Sequence, residues 1–358
     1  LTTAARRKAI DQLRRREARA RREDAVLLRE PDLAEDALSL LEEGLDSSLT
    51  DDRLRLVFTC CHPALAPETR VALTLRALCG LSAEEIARAF LIPVPTLQQR
   101  LVRAKAKIRA ARLPYRAPTD SELPERLPAV LAVTYLVFNE GYAASAGDAL
   151  VRRELCDEGI RLARLLTRLL PAEPEPQGLL SLLLLQDARR EARIGASGEL
   201  VLLADQDRSR WNLEQAAEGR RILEAALGRG RPGPYQLQAA IAAVHSEAPH
   251  AADTDWPQIV ALYGALARLD PNPIIRINQA VALSYAEGPD PALALLDAVA
   301  AAQDLSRYQP LHASRADLLS RLARFEEAAQ SYRAAIALAR APEQVDFLTR
   351  RLNALDTP

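Results

Sequence analysis

The sequence has 358 residues, with 47 lysines and arginines against 48 aspartates and glutamates, and its formal net charge is −1. Apolar residues make up 49% of it but aromatic residues only 4%, and the helix formers leucine, alanine and arginine dominate. Runs rich in valine, isoleucine and threonine are nearly absent. This composition argues against a sheet-based fold and predicts an all-α chain.

Membrane and secretion signals are missing from the sequence. The leucine-rich run at residues 179–185 is far too short to span a bilayer, and no secretory signal is present. The four cysteines have no paired-motif spacing, so we expect a reduced, cytoplasmic protein that does not bind membranes. Because the sequence contains no methionine and begins at Leu1, we expect that residues are missing before it.

The near-zero net charge hides two basic segments. Residues 1–23 carry nine basic and three acidic side chains, and residues 96–119 carry seven basic side chains and no acidic one. The remainder is therefore acidic. Two compact basic segments of this kind are typical of a nucleic-acid-binding protein, although either one alone is better explained by a solvated helix face.

The order of elements predicts five regions. A Pro-rich stretch at residues 113–125 separates an N-terminal part from a long series of helices. The predicted regions are a basic helix (1–23), an acidic linker (24–47), a helical block (48–115), a helical domain (118–250) and a repeat region (254–352). Within the helical domain, Gly195 and Gly198 flank a segment that we interpret as a small hairpin or an extended loop.

The last hundred residues contain an internal repeat. Small and large apolar residues recur 36 positions apart, with Ala280, Leu283 and Ala292 followed by Ala316, Leu319 and Ala328. In the second copy Tyr332 and Ala335 complete a pattern that resembles a tetratricopeptide unit, in which small residues let two helices approach closely. A generic array of helical hairpins is the alternative.

Residues 81–109 predict two short helices joined by a turn. Gly80 suits a left-handed helix cap, and Ser82 with Glu85 three positions later forms a capping-box pattern for a first helix ending near Phe90. The turn reads "LIP". Pro93 and the Pro two positions after it lie in the turn and the first turn of the next helix, where they remove few hydrogen bonds.

The second helix has a predicted buried side and a predicted outward side. The buried positions are Leu97, Leu101, Ala104 and Ile108, and the outward ones are Pro95, Gln98, Gln99, Val102 and Arg103. Glutamine pairs with adenine in the major groove and arginine with guanine, so the outward side fits base recognition. The expected phosphate contacts are Arg100, Lys105, Lys107, Arg109 and Arg112. The alternative is a helical hairpin with a solvated basic tail.

These motifs resemble a known family. "LAPETRVALTLRALCGLSAEEIARAFLIPVPTLQQRLVRAKAKIRAA", residues 65–111, resembles region 4 of an extracytoplasmic-function sigma factor of the sigma-70 family. "LTTAARRKAIDQLRR" at the start resembles the end of region 2, in the order the family requires. The segments Phe58–Leu65 and Phe138–Tyr142 resemble those of a sigma subgroup with a C-terminal tetratricopeptide-like extension.

The resemblance implies a sigma factor without enzymatic activity, cofactor or metal, whose partners are promoter DNA and core RNA polymerase. The residues it implicates in reading the −35 element are Thr96, Gln98, Gln99, Arg100 and Arg103, with Lys105 and Lys107 beside them, and those at −10 DNA are Arg6, Arg7, Lys8, Arg14 and Arg15. The part of region 2 that grips the polymerase is not in this sequence. A protein or peptide partner is expected on the C-terminal repeats.

Other functions were weighed against this one. A repeat scaffold with accessory nucleic-acid binding is the main rival, and a helical enzyme built on residues 124–250 is the third hypothesis. A metal site at Cys60, Cys61 and His62 with Cys79 is disfavoured because consecutive helical side chains diverge by about 100°. His245, His250 and Asp253 are a similarly weak candidate for a metal site. Polar residues that favour a structural network over a catalytic site are Asn139, Glu140, Tyr142, Asp187, Arg189 and Arg190.

Overall fold

The structure is a computed structural model that describes residues 50–89, 92–110, 118–142, 149–193, 195, 201–339 and 342–355. Every regular element within these residues is a helix, which confirms the predicted all-α fold. The α-helices are α1 (Thr50–Cys60), α2 (Pro67–Ala77), α3 (Ala83–Ala89), α4 (Val94–Ala110), α5 (Leu123–Tyr142), α6 (Ala149–Leu169), α7 (Pro174–Asp187), α8 (Leu213–Leu227), α9 (Pro234–Glu247), α10 (Trp256–Leu269), α11 (Pro273–Ala286), α12 (Pro289–Ala302), α13 (Gln309–Arg321), α14 (Phe325–Leu338) and α15 (Pro342–Asn353). None of the helices in these ranges has the length and apolar character needed to cross a membrane.

The chain divides into two compact units between Val133 and Thr134, which is inside α5. The sequence places its boundary earlier, in the Pro-rich stretch before α5. A physical reason for the difference is a hydrogen bond of 2.8 Å from Arg126 of α5 to the carbonyl oxygen of Phe58 at the end of α1. The first half of α5 therefore belongs with the helices that precede it. We call the two parts the N-terminal unit and the C-terminal unit.

The N-terminal unit is a cluster of short helices around an apolar core. Helix α2 packs against α1, α3 and α4, and α3 packs against α4. The side chains that fill the centre have almost no exposed surface, and they are Leu56, Phe58, Leu73, Leu75, Ile86 and Leu97. Since each of these helices is at most a few turns long, burial of this shared core rather than helix propensity holds them together.

Helix α7 is the centre of the C-terminal unit. It packs against α6, α8 and α9, and all seven residues from Leu179 to Leu185 are buried. A helix that is apolar on every side must be covered on every side. Close approach of α9 depends on Gly178, where an added Cβ would lie 2.7 Å from the backbone nitrogen of Gln236.

From α9 onward, each helix packs against the next one in the chain. Four alanines that recur in the sequence pattern, Ala280, Ala292, Ala316 and Ala328, are fully buried in this array. Leu319, Tyr332 and Ala335 are buried too, and Leu283 packs against a core that includes Ala280 and Ala292. The small residues of the pattern therefore lie in the packed interior of the array, and the tetratricopeptide-like repeat itself stays a prediction.

The segment predicted as a hairpin or extended loop lies partly outside the described residues, which omit residues 194 and 196–200. Its ends are joined by a hydrogen bond of 2.8 Å from the amide of Val201 to the carbonyl of Arg193. Two 3-10 turns follow, at Leu203–Asp205 and Arg208–Arg210. They lead into Trp211, which is buried at the start of α8.

Candidate nucleic-acid interface

The start of α3 forms the predicted capping box. The backbone amide of Glu85 donates to the Ser82 hydroxyl at 3.1 Å, and the Glu85 carboxylate accepts from the Ser82 amide at 2.6 Å. Both bonds satisfy amides that have no partner within the helix. Ile86 and Ala87 then point into the core with 0% and 1% exposure. The direction of α3 is thereby fixed at its first turn.

The link between α2 and α3 is held by backbone contacts. Gly80 has φ +69°, in the left-handed region that favours glycine, as its predicted role as a cap requires. The Leu81 amide donates to the carbonyl of Leu75 at 3.2 Å, and the Arg76 side chain donates to the Leu81 carbonyl at 2.9 Å. Arg76 of α2 therefore helps to hold the link in place.

The turn into α4 explains the two prolines. Helix α4 begins at Val94, so Pro93 lies just before it and Pro95 lies in its first turn. The carbonyl of Pro93 accepts the amide of Leu97 at 3.2 Å and so begins the helical hydrogen bonding. The prediction that neither proline lies in a helix interior is confirmed. Phe90, the predicted end of the first helix, lies outside the described residues.

The packed side of α4 is wider than its sequence pattern predicts. Leu97, Leu101 and Ala104 are buried as expected, but Lys105 is also buried, with 7% exposure. Helix α4 packs against both α2 and α3, so two directions around the helix are covered instead of one. The expectation that Lys105 contacts phosphate is therefore corrected, because its side chain does not belong to the exposed basic surface.

The outward side of α4 presents the other predicted residues. Thr96, Gln98, Arg103, Lys107 and Arg109 are exposed, and Gln99 and Arg100 are partly exposed. Five of these side chains line one groove of about 330 Å³ together with the start of α2. Those five are Thr96, Gln99, Arg100, Arg103 and Lys107. We call this surface the α4 groove.

The other wall of the α4 groove was not anticipated. It consists of Leu65, Ala66 and Thr69 around the beginning of α2. The sequence signal for this wall is Pro67 at the first position of α2, since proline there marks a helix start. The groove therefore combines the basic side of α4 with Leu65, Ala66 and the hydroxyl-bearing Thr69. The basic side chains on its α4 wall suit a polyanion.

All charged residues of α4 are basic. The helix carries five basic residues and no acidic one. Lys107 and Arg109 lie in its last turn, where cations also interact favourably with the helix dipole. Gln98 is exposed but does not line the α4 groove, so the structure separates it from Gln99. The predicted residues Arg6, Arg7, Lys8, Arg14, Arg15 and Arg112 lie outside the described residues.

The cysteines of the N-terminal unit are packed into its core. Burial raises the pKa of the Cys60 thiol well above its usual range, and burial raises that of Cys61 to about 11. The Cys61 sulfur lies 3.5 Å from the Thr74 hydroxyl, and the His62 ring accepts the Ala64 amide at 3.1 Å. Thiols with raised pKa values are poor metal ligands and poor nucleophiles. No cluster of three metal-binding side chains occurs among the residues that the structure describes.

The histidines and polar residues of the C-terminal unit have structural contacts. The Asp253 carboxylate accepts the His250 amide at 3.2 Å at the start of the 3-10 turn Ala251–Asp253, and the His245 ring meets that of Trp256 edge-on at 5.3 Å. Asp187 pairs with Arg190 at 2.6 Å, as a polar network would. Tyr142 instead lies under Arg193, whose guanidinium carbon is 3.6 Å from the ring centre.

Comparisons with known proteins agree with this geometry. Residues 55–108 match the family described as sigma-70, region 4, and residues 126–227 match a family of unknown function, DUF6596. A protein of Rhizobium meliloti (strain 1021), named "Uncharacterized protein R00370", is 45% identical over 347 residues, which are 97% of this chain and 81% of the relative. The crystal structure of the P58(IPK) TPR domain covers 85% of this chain and 78% of its own, with 12% identity and a TM-score of 0.28, too low to support a shared fold.

The region 4 match includes all of α2, α3 and the groove-lining part of α4. Region 4 is a domain of sigma-70 factors, which are non-enzymatic transcription initiation factors that bind core RNA polymerase and promoter DNA. The high identity and coverage extend the relationship over nearly the whole chain. The chain therefore belongs to the same family as the Rhizobium meliloti protein, and it carries a sigma-70 region 4 domain at residues 55–108 that gives it a sigma-factor-like role in transcription.

Proposed function

We propose that the protein is a sigma factor that directs RNA polymerase to specific promoters, with α4 reading the −35 element. The observation that carries this proposal is the α4 groove, in which a helix with basic and amide side chains meets the start of α2. A helix of this kind fits the major groove, where glutamine and arginine distinguish base pairs. The region 4 match supports the same role.

The side chains of α4 divide into two tasks. Gln98, Gln99 and Arg103 contact base edges and set the sequence preference, because amide and guanidinium groups form paired hydrogen bonds with adenine and guanine. Arg100, Lys107 and Arg109 contact phosphates, which hold the helix in register and supply most of the salt-dependent affinity. Thr96, at the first turn of α4, is placed to contact the DNA backbone.

The C-terminal unit supplies regulation or binds a protein partner. The array of packed helices from α9 onward offers an extended surface of the type that binds peptides. If it regulates, a chain ending at Tyr142, which keeps α5 whole, will differ from the full protein in transcription while circular dichroism shows that its helices are retained. Equal transcription and equal response to growth conditions would contradict a regulatory role.

Run-off transcription tests the main proposal. The protein as its whole gene encodes it, including any residues before Leu1, is mixed with core RNA polymerase and DNA from upstream of that gene. We expect a transcript that depends on the protein and is lost with the double variant Gln99→Ala, Arg103→Ala. The matched control is Gln258→Ala, Arg268→Ala, which removes the same two residue types from exposed positions of α10.

The outcomes separate the hypotheses. Loss of the transcript with the Gln99→Ala, Arg103→Ala variant, together with normal transcription by the Gln258→Ala, Arg268→Ala control, supports promoter reading by α4. A transcript that survives the α4 double variant, or the absence of any transcript from correctly folded protein, would sink the proposal. Binding of a protein partner through residues 254–352 without any effect on transcription would favour the scaffold hypothesis instead.

A further inference from the structure

The C-terminal unit contains a cavity of about 480 Å³ that neither DNA reading nor the helix repeat requires. Its walls come from α7, α9, α10 and α11, from Tyr135 of α5, and from Trp211 before α8. A volume of this size is typical of sites for small organic ligands. The cavity is lined by both apolar and polar side chains.

The cavity wall carries a positive charge. Arg189 lines the cavity, and no hydrogen bond or ion pair of the Arg189 guanidinium occurs among the described residues. Its neighbour Arg190, by contrast, binds two carboxylates, Asp187 and Asp157. Arginine is seldom left half-buried without a partner, because its five N–H groups lose water on burial. Arg189 therefore has donors to offer to a bound group.

Two further arginines strengthen this positive field. Arg193 donates to the carbonyl of Tyr142, and Arg208 donates to the carbonyl of His245, so neither is neutralised by these contacts. Burial first, and the charge of Arg189 in addition, lowers the pKa of both arginines. Arg189 thus lies within electrostatic range of two further cations, of which Arg208 also feels the opposing charge of Asp253, and this positive surrounding favours an anion near Arg189.

Polar atoms without partners line the same cavity. Trp211 is 6% exposed, and its indole N–H has no acceptor in the described structure. The side-chain oxygen of Gln186 likewise lacks a donor. Buried polar atoms in native proteins are nearly always satisfied, so two such atoms on the wall of one cavity indicate a missing partner there. Both residues line the cavity beside Arg189.

Part of the cavity wall is apolar. Leu182, Leu185, Ile241 and Leu266 are buried and form part of this wall. Burial raises the pKa of Tyr263 to about 12, so its hydroxyl stays protonated at neutral pH. An aliphatic or aromatic group is stabilised by burying its apolar surface against these side chains.

The cavity wall also carries Asp270, Asn272 and Asn278. Asp270 makes no ion pair with Arg189 among the residues described, and its charge acts on Tyr235, whereas the charge of Arg189 acts on Tyr263. The Asp270 carboxylate disfavours a second anionic group on the ligand. The cavity therefore suits a molecule with one anionic group whose other parts are uncharged.

We propose that this cavity binds a small organic carboxylate with an apolar or aromatic body, and that Arg189 binds the carboxylate while the Trp211 N–H donates to it. A guanidinium binds a carboxylate through two parallel hydrogen bonds, which explains why arginine rather than lysine stands there. The proposal is independent of DNA binding, because all the residues involved lie in the C-terminal unit.

Three probes with the same phenylpropyl body test the head group. Isothermal titration calorimetry is run with 3-phenylpropionate, 3-phenylpropan-1-ol and 3-phenylpropylamine on the full-length protein. We expect the carboxylate to bind at least tenfold more tightly than the alcohol and the amine to bind most weakly. The fluorescence of Trp211 should change on binding, since Trp211 lines the cavity.

Variants identify the side chain responsible. Arg189→Gln should weaken the carboxylate at least tenfold and leave the alcohol unchanged, whereas Arg268→Gln, an exposed arginine of α10, should change neither. Trp211→Phe, which keeps the ring but loses the N–H, should weaken the carboxylate several-fold. Thermal unfolding of each variant shows that it is folded.

Three results would overturn the proposal. One is equal binding of the three probes. Another is undiminished carboxylate binding by a folded Arg189→Gln protein. The third is failure of all three probes to bind at millimolar concentration. If Arg189→Gln does not fold, Arg189→Lys replaces it; it keeps the charge but not the paired geometry and should bind the carboxylate more weakly than the wild type.

Discussion

The two units use arginine in opposite ways. On α4 of the N-terminal unit, basic residues share a helix that has no acidic residue, and most of them face outward. In the C-terminal unit, arginines join helices by binding carboxylates, as Arg164 of α6 does with both oxygens of Glu218 of α8, at 2.5 and 2.9 Å. Basic side chains of α4 thus lie at the protein surface, whereas Arg164 in the C-terminal unit is paired within the fold.

Helix packing also differs between the units. In the C-terminal unit, helices approach closely at glycine and alanine residues, while the N-terminal unit has a small core and an exposed basic surface on α4. Substitutions at the close helix contacts of the C-terminal unit should change the free energy of unfolding, and substitutions on the exposed surface of α4 should change DNA binding. The following predictions run from the largest expected change in stability to the smallest.

Gly178→Ala should be the most damaging. The added Cβ would lie 2.7 Å from the backbone nitrogen and 2.9 Å from the Cα of Gln236, so α7 and α9 would have to separate. We expect a loss of about 3 kcal/mol in the free energy of unfolding, measured by urea denaturation with tryptophan fluorescence. Both tryptophans of the protein, Trp211 and Trp256, lie in the C-terminal unit and report on it.

The matched control is Gly264→Ala in α10. There the only atom within 4 Å of the added Cβ is the terminal nitrogen of Gln279, at 3.3 Å, which can move aside. Alanine is about 1 kcal/mol better than glycine inside a helix, so this variant should be neutral or more stable. Equal destabilisation by both substitutions would show that close helix approach is not the cause.

The stability of the C-terminal unit should fall in mild acid because of His245. Burial first, with the charges of Arg189 and Arg208, lowers the pKa of His245 to about 4. Folding therefore favours the neutral ring. The resulting contribution of His245 to stability is complete above the unfolded pKa of about 6.5 and is lost as the pH falls toward 4. Within this range the free energy of unfolding should fall by about 1.4 kcal/mol per pH unit, or roughly 2 kcal/mol between pH 6.5 and 5.

His245→Gln provides the comparison for this prediction. It removes the titrating ring at the same site, so its free energy of unfolding should change less between pH 6.5 and 5 than that of the wild type. Other titrating groups contribute to both proteins and cancel in the difference. Parallel pH profiles would mean that the ring is not held neutral by its surroundings.

Local signals explain why the helix-turn-helix could be predicted from the sequence. The cap of α3 involves two residues three positions apart, and the turn into α4 is marked by its own prolines. Lys105 was wrongly assigned to the exposed side of α4, because a single stripe of apolar residues was assumed to mark the buried side of the helix. That assumption fails when a helix packs against two neighbours, and α4 packs against both α2 and α3.

The cavity of the C-terminal unit could not be predicted in the same way. Its lining comes from residues between Tyr135 and Asn278, so no single stretch of sequence carries its pattern. The sequence groups Arg189 with Arg190 in one polar network, but the structure gives them different surroundings. Arg190 binds Asp187, while Arg189 lines the cavity. Only the packing of helices distinguishes these two adjacent arginines.

The capping box of α3 should have a moderate effect that is confined to the N-terminal unit. Ser82→Ala removes the acceptor for the Glu85 amide and should cost about 1 kcal/mol. Hydrogen exchange of the α3 amides measures this loss directly. Ser82→Thr keeps the hydroxyl and should retain most of the protection. Unchanged exchange in Ser82→Ala would show that the cap does not hold α3.

Lys107→Ala should have the smallest effect on folding and a clear effect on DNA binding. Its side chain is exposed in the α4 groove, so the free energy of unfolding should change by less than about 0.5 kcal/mol. Loss of one phosphate contact should lower the slope of log affinity against log salt by about 1. Lys105→Ala, two residues away, is the stringent control, because Lys105 is buried. It should leave the salt slope unchanged and destabilise the protein more than Lys107→Ala; the reverse result would mean that the DNA-facing side of α4 has been assigned wrongly.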